Sequence, residues 1–142
     1  MIIKKPFKTH QNIDPETNRI SGEVVDAAFK VHFALGPGLL ESVYEVCLIH
    51  KLSKKGLKVQ KQVVLPIVFE EIRLDAGFRL DLLVEDKVVV EIKAIDNILP
   101  VHEAQLLTYL KLSGHELGLL INFNVPILKK GIKRIALSKP KK

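Results

Sequence analysis

The sequence of 142 residues has a single cysteine, Cys47, and no tryptophan. One cysteine excludes an internal disulfide, a zinc site built from cysteines and a four-cysteine iron–sulfur cluster. We interpret Cys47 as a small apolar residue on a helix. Aromatic residues make up only 6% of the chain. This scarcity argues against a protein that recognises its ligand on an aromatic stacking platform.

Long apolar runs are also missing from the chain. None approaches the roughly 20 residues that cross a bilayer. Only a short apolar stretch precedes the first lysine pair, Lys4-Lys5, so the N-terminus does not have the pattern of a signal peptide. We therefore expect a cytoplasmic protein without a membrane segment. The length fits one domain with enough apolar residues to bury a core.

Acidic residues are absent from the C-terminal end of the sequence. Seven basic residues and no acid lie in residues 129–142, which leaves a net charge of −1 on residues 1–128 although the whole chain carries +6. Basic clusters of this kind can contact nucleic-acid phosphates. The alternative is a solvated, disordered tail. The candidates for phosphate contact are Lys129, Lys130, Lys133 and Arg134.

The chain divides into an irregular N-terminal arm over residues 1–19, a domain over residues 20–137 and a basic tail over residues 138–142. Apolar periodicity in the domain predicts the order α-α-β-β-β-α-β-β. The predicted elements are helices over residues 20–35, 39–55 and 100–113 and strands over residues 57–69, 72–84, 88–94, 117–123 and 132–137. Pro66 and Gly77 predict irregularities in the first strand pair. Because a strand–helix–strand unit implies parallel pairing, we expect an α/β protein with a mixed sheet flanked by helices.

Three polar residues interrupt the apolar strands, namely Asp81, Glu91 and Lys93. Burying such charges costs several kcal/mol unless they are paired or bind a metal. Strand alternation puts Glu91 and Lys93 on one face, and the turn before Val88 brings Asp81 alongside. Two carboxylates and the Ile92 backbone carbonyl would form an oxygen site suited to Mg²⁺ or Mn²⁺, and such an ion can support phosphodiester hydrolysis. The alternative is an ordinary exposed ion pair.

Two helices add polar candidates to this set. Gln105 and Tyr109 share one helix face and could position water or phosphate; the alternative is a capping glutamine and a core tyrosine. Glu41 and Tyr44 are expected to face the same way, with Gly38 at a corner where backbone passes closely. Glu41 is either a further acid at the metal or a favourable charge at the helix N-terminus. His102, one turn before Gln105, is expected to be a surface or capping histidine; the alternative is contact with the substrate.

These residues together resemble the PD-(D/E)xK nuclease superfamily, through Asp81, Glu91-x-Lys93 and the Gln105-x-x-x-Tyr109 pattern of its RecB-type branch. Gly38-x-x-Glu41-x-x-Tyr44 and Asn122-Phe123 resemble the small group of GxxExxY proteins within that superfamily. The resemblance implies a restriction-endonuclease-like fold, with Asp81 and Glu91 as metal ligands. It also implies catalytic roles for Lys93, Glu41, Gln105 and Tyr109. One departure is Leu80, where the superfamily has proline.

We therefore expect a Mg²⁺- or Mn²⁺-dependent hydrolase, a nuclease that cleaves phosphodiester bonds in DNA. The alternative is a non-catalytic nucleic-acid-binding or protein-interaction module that keeps the nuclease fold. The sequence predicts a nucleic-acid partner and no membrane partner, and it leaves both a monomer and a homo-oligomer open.

Overall fold

The computed structural model describes residues 13–137, without the side chains of residues 75–78. Most of the predicted N-terminal arm, residues 1–12, and the whole basic tail, residues 138–142, lie outside the described residues. The elements are α1 (Pro15–Leu35), α2 (Glu41–Lys54), β1 (Val59–Phe69), β2 (Ile72–Val84), β3 (Val88–Lys93), α3 (Pro100–Ser113), β4 (Leu117–Asn122) and β5 (Ile132–Ala136). Their order confirms the predicted α-α-β-β-β-α-β-β arrangement.

Within residues 13–137, the strands form a five-stranded sheet in the order β1-β2-β3-β4-β5. The β3–β4 pair is parallel, and the other three pairs are antiparallel. The parallel pair results from the crossover through α3, because parallel neighbours need a long connection. The expected mixed sheet flanked by helices is therefore confirmed.

Helix α1 begins at Pro15, so the prediction of an irregular arm is wrong for residues 15–19. The Asp14 side chain accepts a hydrogen bond from the Thr17 backbone N–H at 3.1 Å, and proline is favoured in the first helical turn. The prediction depended on apolar periodicity, which begins only at Ile20. The capping residues therefore set the helix start five residues earlier.

Helices cover both faces of the sheet. Helices α1 and α2 pack on the face that includes Val90 and Ile121, whereas α3 packs on the face that includes Val89 and Leu120. All six residues of β4 are buried, as expected for a central strand with parallel pairing. Cys47 is half-buried on α2 against the first of these cores. Within residues 13–137, the helices lack the combination of length and apolar character needed to cross a bilayer.

The β1–β2 hairpin extends beyond the rest of the sheet. Strand β2 pairs with β1 along its length, but within the described residues it pairs with β3 only over residues 82–84. We call the extended part, residues 63–80, the hairpin arm. Its register shifts opposite Pro66, where β2 contains additional residues before Phe78. This shift lies where Pro66 and Gly77 predict an irregularity.

Candidate metal centre

Asp81 and Glu91 face each other where β2 and β3 stop pairing. The last paired residues are Leu82 and Val90. Beyond them, the Ile92 backbone N–H donates a hydrogen bond to Asp81 Oδ2 at 2.8 Å, and the Asp81 backbone N–H donates to Glu91 Oε2 at 3.3 Å. The backbone N–H groups of Asp81 and Ile92 have no carbonyl partner here, because β2 and β3 no longer pair. Each of the two carboxylates accepts a hydrogen bond from one of these N–H groups. The two acids are fixed parts of the sheet where the strands separate.

The backbone of β3 turns the Ile92 carbonyl towards the same gap. In an antiparallel ladder, the N–H and C=O of one residue point to the same neighbouring strand, and the Ile92 N–H points to Asp81. The next carbonyl, that of Lys93, points the other way and accepts from the Phe123 N–H at 2.9 Å. The gap is thus bordered by oxygen atoms from Asp81, Glu91 and Ile92.

Burial dominates the electrostatics of the two carboxyl groups. Glu91 is only 6% exposed. Burial, assisted by the charge of Asp81, raises the pKa of Glu91 to about 8. Burial also raises the pKa of Asp81, although the hydrogen bond from the Ile92 N–H opposes this shift. The metal-free centre therefore retains a proton on Glu91 at neutral pH, because two adjacent buried carboxylates without a cation are costly.

Glu41 and Lys93 lie beside this pair. Burial and the negative charge of Asp81 raise the pKa of Glu41, whereas Lys93 and the Ala94 backbone N–H lower it. Lys93 also lowers the pKa of both Asp81 and Glu91. Lys93 is therefore a cation next to three acids. The structure brings Glu41 of α2 near Asp81 and Lys93, and its role at a metal stays a prediction.

Sequence reasoning missed a further acid, Glu45. Its charge raises the pKa of Asp81 and Glu41, and its Oε2 accepts a hydrogen bond from Gln62 Nε2 at 2.8 Å. Gln62 lies opposite Asp81 in the hairpin and has a φ of +53°, a conformation that costs roughly 1–2 kcal/mol for a residue other than glycine. The available signal was spacing, since Glu45 lies four residues after Glu41 on the same helix face.

Helix α3 brings Tyr109 to the opposite side of the carboxylates. Tyr109 is buried in the α3 core, and burial together with the charges of Glu91 and Asp81 raises its pKa to about 12. Tyr109 is therefore a core residue that lies close enough to be affected by both carboxylates, and its catalytic role stays a prediction. Gln105 is exposed one turn earlier and does not cap the helix. His102 takes the capping position, where Nδ1 accepts from the Leu99 N–H at 2.9 Å, as predicted.

The corner between α1 and α2 fixes the start of α2 and with it Glu41. Gly36 and Gly38 have φ values of +72° and +97°. The Tyr44 hydroxyl donates to the Gly36 carbonyl at 2.6 Å and accepts from the Leu39 N–H at 3.1 Å. Glycine is needed here for its backbone conformation; the expected close approach at Gly38 is wrong, because a side chain there would meet nothing within 4 Å.

Tyr44 and Glu41 point in different directions, which corrects the expectation that they face the same way. Tyr44 is fully buried and stacks on Phe123 with ring centroids 4.5 Å apart, whereas Glu41 is exposed at the helix start. Residues three apart on a helix differ by about 60° around its axis. This difference is enough to bury the Tyr44 side chain in the core and to leave the Glu41 side chain exposed. Tyr44 therefore holds the corner that presents Glu41.

Replacing Tyr44 with phenylalanine is expected to lower the free energy of unfolding by about 1–3 kcal/mol, because the Leu39 N–H and the Gly36 carbonyl lose their shared partner. Urea denaturation measures this change. Glu41→Gln is the matched variant, since Glu41 is exposed and its replacement should leave stability within about 0.5 kcal/mol of wild type. Wild-type stability of Tyr44→Phe would show that the corner does not depend on the hydroxyl.

The Asn122 side chain forms hydrogen bonds with the backbone that follows β3. Its Oδ1 accepts from the backbone N–H groups of Ile95 and Asn124 at 3.1 and 3.2 Å, and its Nδ2 donates to the Ile95 carbonyl at 2.9 Å. Asn122 is buried at the end of β4, where it pairs with Lys93. These bonds limit how far the backbone after Lys93 can move.

The four basic residues predicted to contact phosphate differ in exposure and in hydrogen-bond partners. Lys129 and Lys130 are exposed on a short 3-10 turn after β4. Lys130 and Lys133 line a pocket of about 210 Å³ together with Asn122. Arg134 instead donates hydrogen bonds to Ser21 Oγ at 3.0 Å and to Asn18 Oδ1 on α1. Burial lowers its pKa. Arg134 therefore already has structural partners.

The donor set at the strand gap fits a hard divalent cation. Among the described side chains, no group of three or more His, Cys, Asp or Glu is positioned to hold a metal. Mg²⁺ does not require such a group, since it keeps several waters and binds through one or two carboxylates. Asp81, Glu91 and the Ile92 carbonyl supply only oxygen, which favours Mg²⁺ or Mn²⁺ over zinc.

Comparisons with known proteins relate the chain to one protein family. A solved structure described as "Crystal structure of SSO0001" aligns with 90% of this chain and 64% of its own, at 24% sequence identity and a TM-score of 0.48. The chain thus spans less than two thirds of that protein. None of the curated proteins matches the chain significantly. A model of the PD-(D/E)XK nuclease superfamily matches residues 18–135. The chain therefore belongs to the PD-(D/E)XK nuclease superfamily and has its restriction-endonuclease-like fold.

Proposed function

We propose that this protein is a divalent-metal-dependent nuclease that hydrolyses phosphodiester bonds in DNA. The observation that carries the proposal is the Asp81–Glu91 pair, two carboxyl groups fixed by backbone hydrogen bonds at the point where β2 and β3 separate. Nucleases of this superfamily generally use divalent metals such as Mg²⁺. Asp81, Glu91 and the Ile92 carbonyl would hold Mg²⁺ or Mn²⁺ here.

The bound ion would supply charge stabilisation to the scissile phosphate and acidify a water. Lys93, whose charge acts on both carboxylates, is the cation we assign to orienting a phosphate oxygen or the attacking water. Glu41 is exposed at the rim and is assigned to hydrogen bonding with that water. Tyr109, whose pKa is raised to about 12, is protonated at neutral pH and is assigned as a hydrogen-bond donor to phosphate. Gln105 would contact the nucleic-acid backbone.

The substrate path that we propose continues from Lys93 to the basic residues after β4. Lys130 and Lys133 share a pocket with Asn122, and Asn122 pairs with Lys93. Basic side chains near the reacting phosphate would neutralise neighbouring phosphates of the same strand. Lys129 is exposed on the same turn, whereas Arg134 would have to release its partners on α1 to take part.

We also propose that the chain belongs to the GxxExxY group and to the RecB-type branch of the superfamily. Gly38, Glu41 and Tyr44 form one unit, in which Gly38 allows the corner, Tyr44 bonds across it and Glu41 approaches Asp81. This division of roles supports membership of the GxxExxY group. The position of Tyr109 near the carboxylates supports the RecB-type branch with its Gln-x-x-x-Tyr helix.

A second candidate function is a nucleic-acid-binding or protein-interaction module without turnover. The observation in its favour is that, among the described side chains, no group of three or more His, Cys, Asp or Glu is positioned to hold a metal. Such a module would bind nucleic acid in a salt-dependent way. We expect its binding to survive Lys93→Ala and to weaken when residues 138–142 are removed.

The decisive assay incubates the protein with labelled single- and double-stranded DNA and RNA in Mg²⁺ or Mn²⁺. Lys93→Ala is expected to reduce cleavage at least about 100-fold, the usual effect of removing one group that stabilises transition-state charge. Lys87→Ala is the matched control, because Lys87 lies in the turn at the opposite end of β3. It should cleave within about twofold of wild type. No cleavage under any condition, or equal cleavage by all three proteins, would refute nuclease activity.

A further inference from the structure

Helices α1 and α2 form an open groove between them, which we call the α1–α2 groove. The two helices lie antiparallel, because Lys55 after the end of α2 bonds to Glu23 and Asp26 of α1 at 2.6 and 2.8 Å. The groove has a volume of about 430 Å³. Aliphatic and thiol side chains from both helices form its apolar lining, namely Val31, Ala34, Leu35, Val46 and Cys47.

Helix α2 contributes a second apolar face to this groove. Val43, Val46 and Cys47 are three and four residues apart, so they share one side of the helix. Val43 and Val46 are 36% and 64% exposed, and Leu35 across the groove is 37% exposed. A different face of α2 supplies the core residues Tyr44, Leu48 and Leu52. Because one apolar stripe is enough to dock a helix on its own core, the second stripe indicates a surface that another molecule covers.

The polar lining of the groove is basic. It consists of Lys30, His50, Lys51 and Lys54, and no acidic residue lines the groove within the part of the chain that the structure describes. The nearest acids of α1 are already bonded to Lys55, and one of them is also bonded to Lys30. Among residues 13–137, neither Lys51 nor Lys54 has a carboxylate partner. The groove therefore combines an apolar floor with lysines that lack a counter-charge in the described chain.

We propose that the α1–α2 groove binds an acidic amphipathic helix of another protein. A groove between two antiparallel helices accepts the side-chain ridge of a third helix. From Val46 to Lys54 the groove is about 12 Å long, which corresponds to roughly two helical turns of the partner. Apolar side chains of that helix would fill the floor, and its carboxylates would pair with Lys51 and Lys54. Nucleic acid fits less well, because the lining has no aromatic ring on which a base could stack.

The groove is a separate site from the candidate metal centre. Glu41 and Glu45, the acids of α2 near Asp81, lie about 140° and 100° from Val46 around the helix axis, on the side away from His50. The docking proposal therefore does not depend on nuclease activity, and a binding measurement tests it directly.

The probe is a fluorescein-labelled peptide of about 15 residues, with leucine at every third or fourth position and alanine and glutamate elsewhere. A matched peptide has lysine in place of each glutamate. Fluorescence anisotropy with the full-length protein in about 50 mM salt should show saturable binding of the acidic peptide, with a Kd of about 10–100 µM for so small a groove. The basic peptide should bind at least about tenfold more weakly. No saturable binding, or equal binding of both peptides, would overturn the proposal.

Substitutions assign the binding to the groove. Lys51→Glu with Lys54→Glu should weaken binding of the acidic peptide at least about tenfold, and so should Val46→Asp, with unchanged circular dichroism spectra. The matched control is Lys111→Glu with Lys129→Glu, because both lysines are exposed outside the groove. This control should bind the peptide within about twofold of wild type. An equal loss in the control would show a general attraction to a basic protein and would overturn the proposal.

Other occupants give different results in the same variants. If vesicles of phosphatidylglycerol bind through Lys51 and Lys54 while the acidic peptide does not, the groove is a lipid-binding surface and the proposal fails. Sedimentation velocity tests for a second copy of this chain. A wild-type dimer that Val46→Asp converts to a monomer would assign the groove to self-association instead.

Discussion

Glu91→Gln is expected to reduce phosphodiester cleavage by at least about 1,000-fold, which corresponds to roughly 4 kcal/mol of transition-state stabilisation. The substitution keeps the shape of the side chain, and its amide oxygen can still accept the Asp81 N–H. It removes the negative charge that would hold a divalent ion beside Asp81. Initial rates on labelled DNA in Mg²⁺ and Mn²⁺ measure the effect.

Glu116→Gln is the matched control for this loss. Glu116 immediately precedes β4, at the end of the sheet remote from Lys93 and Asn122. Its replacement should leave the cleavage rate within about twofold of wild type. A Glu91→Gln protein that cleaves as fast as the Glu116→Gln protein would remove Glu91 from the metal site.

The same variant should change how stability depends on pH. The pKa of Glu91 is raised from 4.5 to about 8 in the folded protein, so between these values the folded state binds a proton that the unfolded chain has lost. Stability of the metal-free protein should therefore fall as pH rises from about 5 to 9, by a few kcal/mol at most. Urea denaturation should show a smaller fall for Glu91→Gln. An equal or larger fall would contradict burial of the carboxyl group.

Added Mn²⁺ should oppose this fall. A cation at the two carboxylates replaces the proton on Glu91, so its stabilising effect should be larger at pH 9 than at pH 6. Thermal shifts of wild type and Glu91→Gln at both pH values separate this linkage from general effects of the salt. Equal shifts for both proteins would place the bound ion elsewhere.

The fold was predictable where one residue pattern determined one element. The buried runs of β3 and β4 and the turn at residues 85–87 follow from apolar periodicity, and they were enough to bring Asp81 beside Glu91. The start of α1 was not predicted, because Asp14 and Pro15 determine it through capping rather than through an apolar stripe.

The less predictable features depend on contacts distant in sequence. Leu80 packs with α3 and Leu82 with α1 and α2, although strict alternation would place them on one face. This change occurs at Asp81, opposite the unusual φ of Gln62. Glu45 was missed for a similar reason. A polar residue on an amphipathic helix resembles any solvated side chain until its neighbour on another strand is known.

Gly131→Ala is expected to destabilise the protein by about 3 kcal/mol or more, which would lower the melting temperature by roughly 10 °C. Gly131 is buried, and an added Cβ would overlap the backbone carbonyl oxygen of Asn122. That carbonyl cannot move aside easily, because the Asn122 side chain is bonded to Ile95 and Asn124. The substitution should also weaken cleavage, since Asn122 holds the chain after Lys93.

Gly22→Ala is the matched control, because Gly22 is exposed within α1 and a Cβ there meets nothing within 4 Å. It should stabilise the protein by about 0.5–1 kcal/mol. Calorimetry of both variants decides the matter, and a Gly131→Ala protein as stable as wild type would show that the end of β4 tolerates displacement.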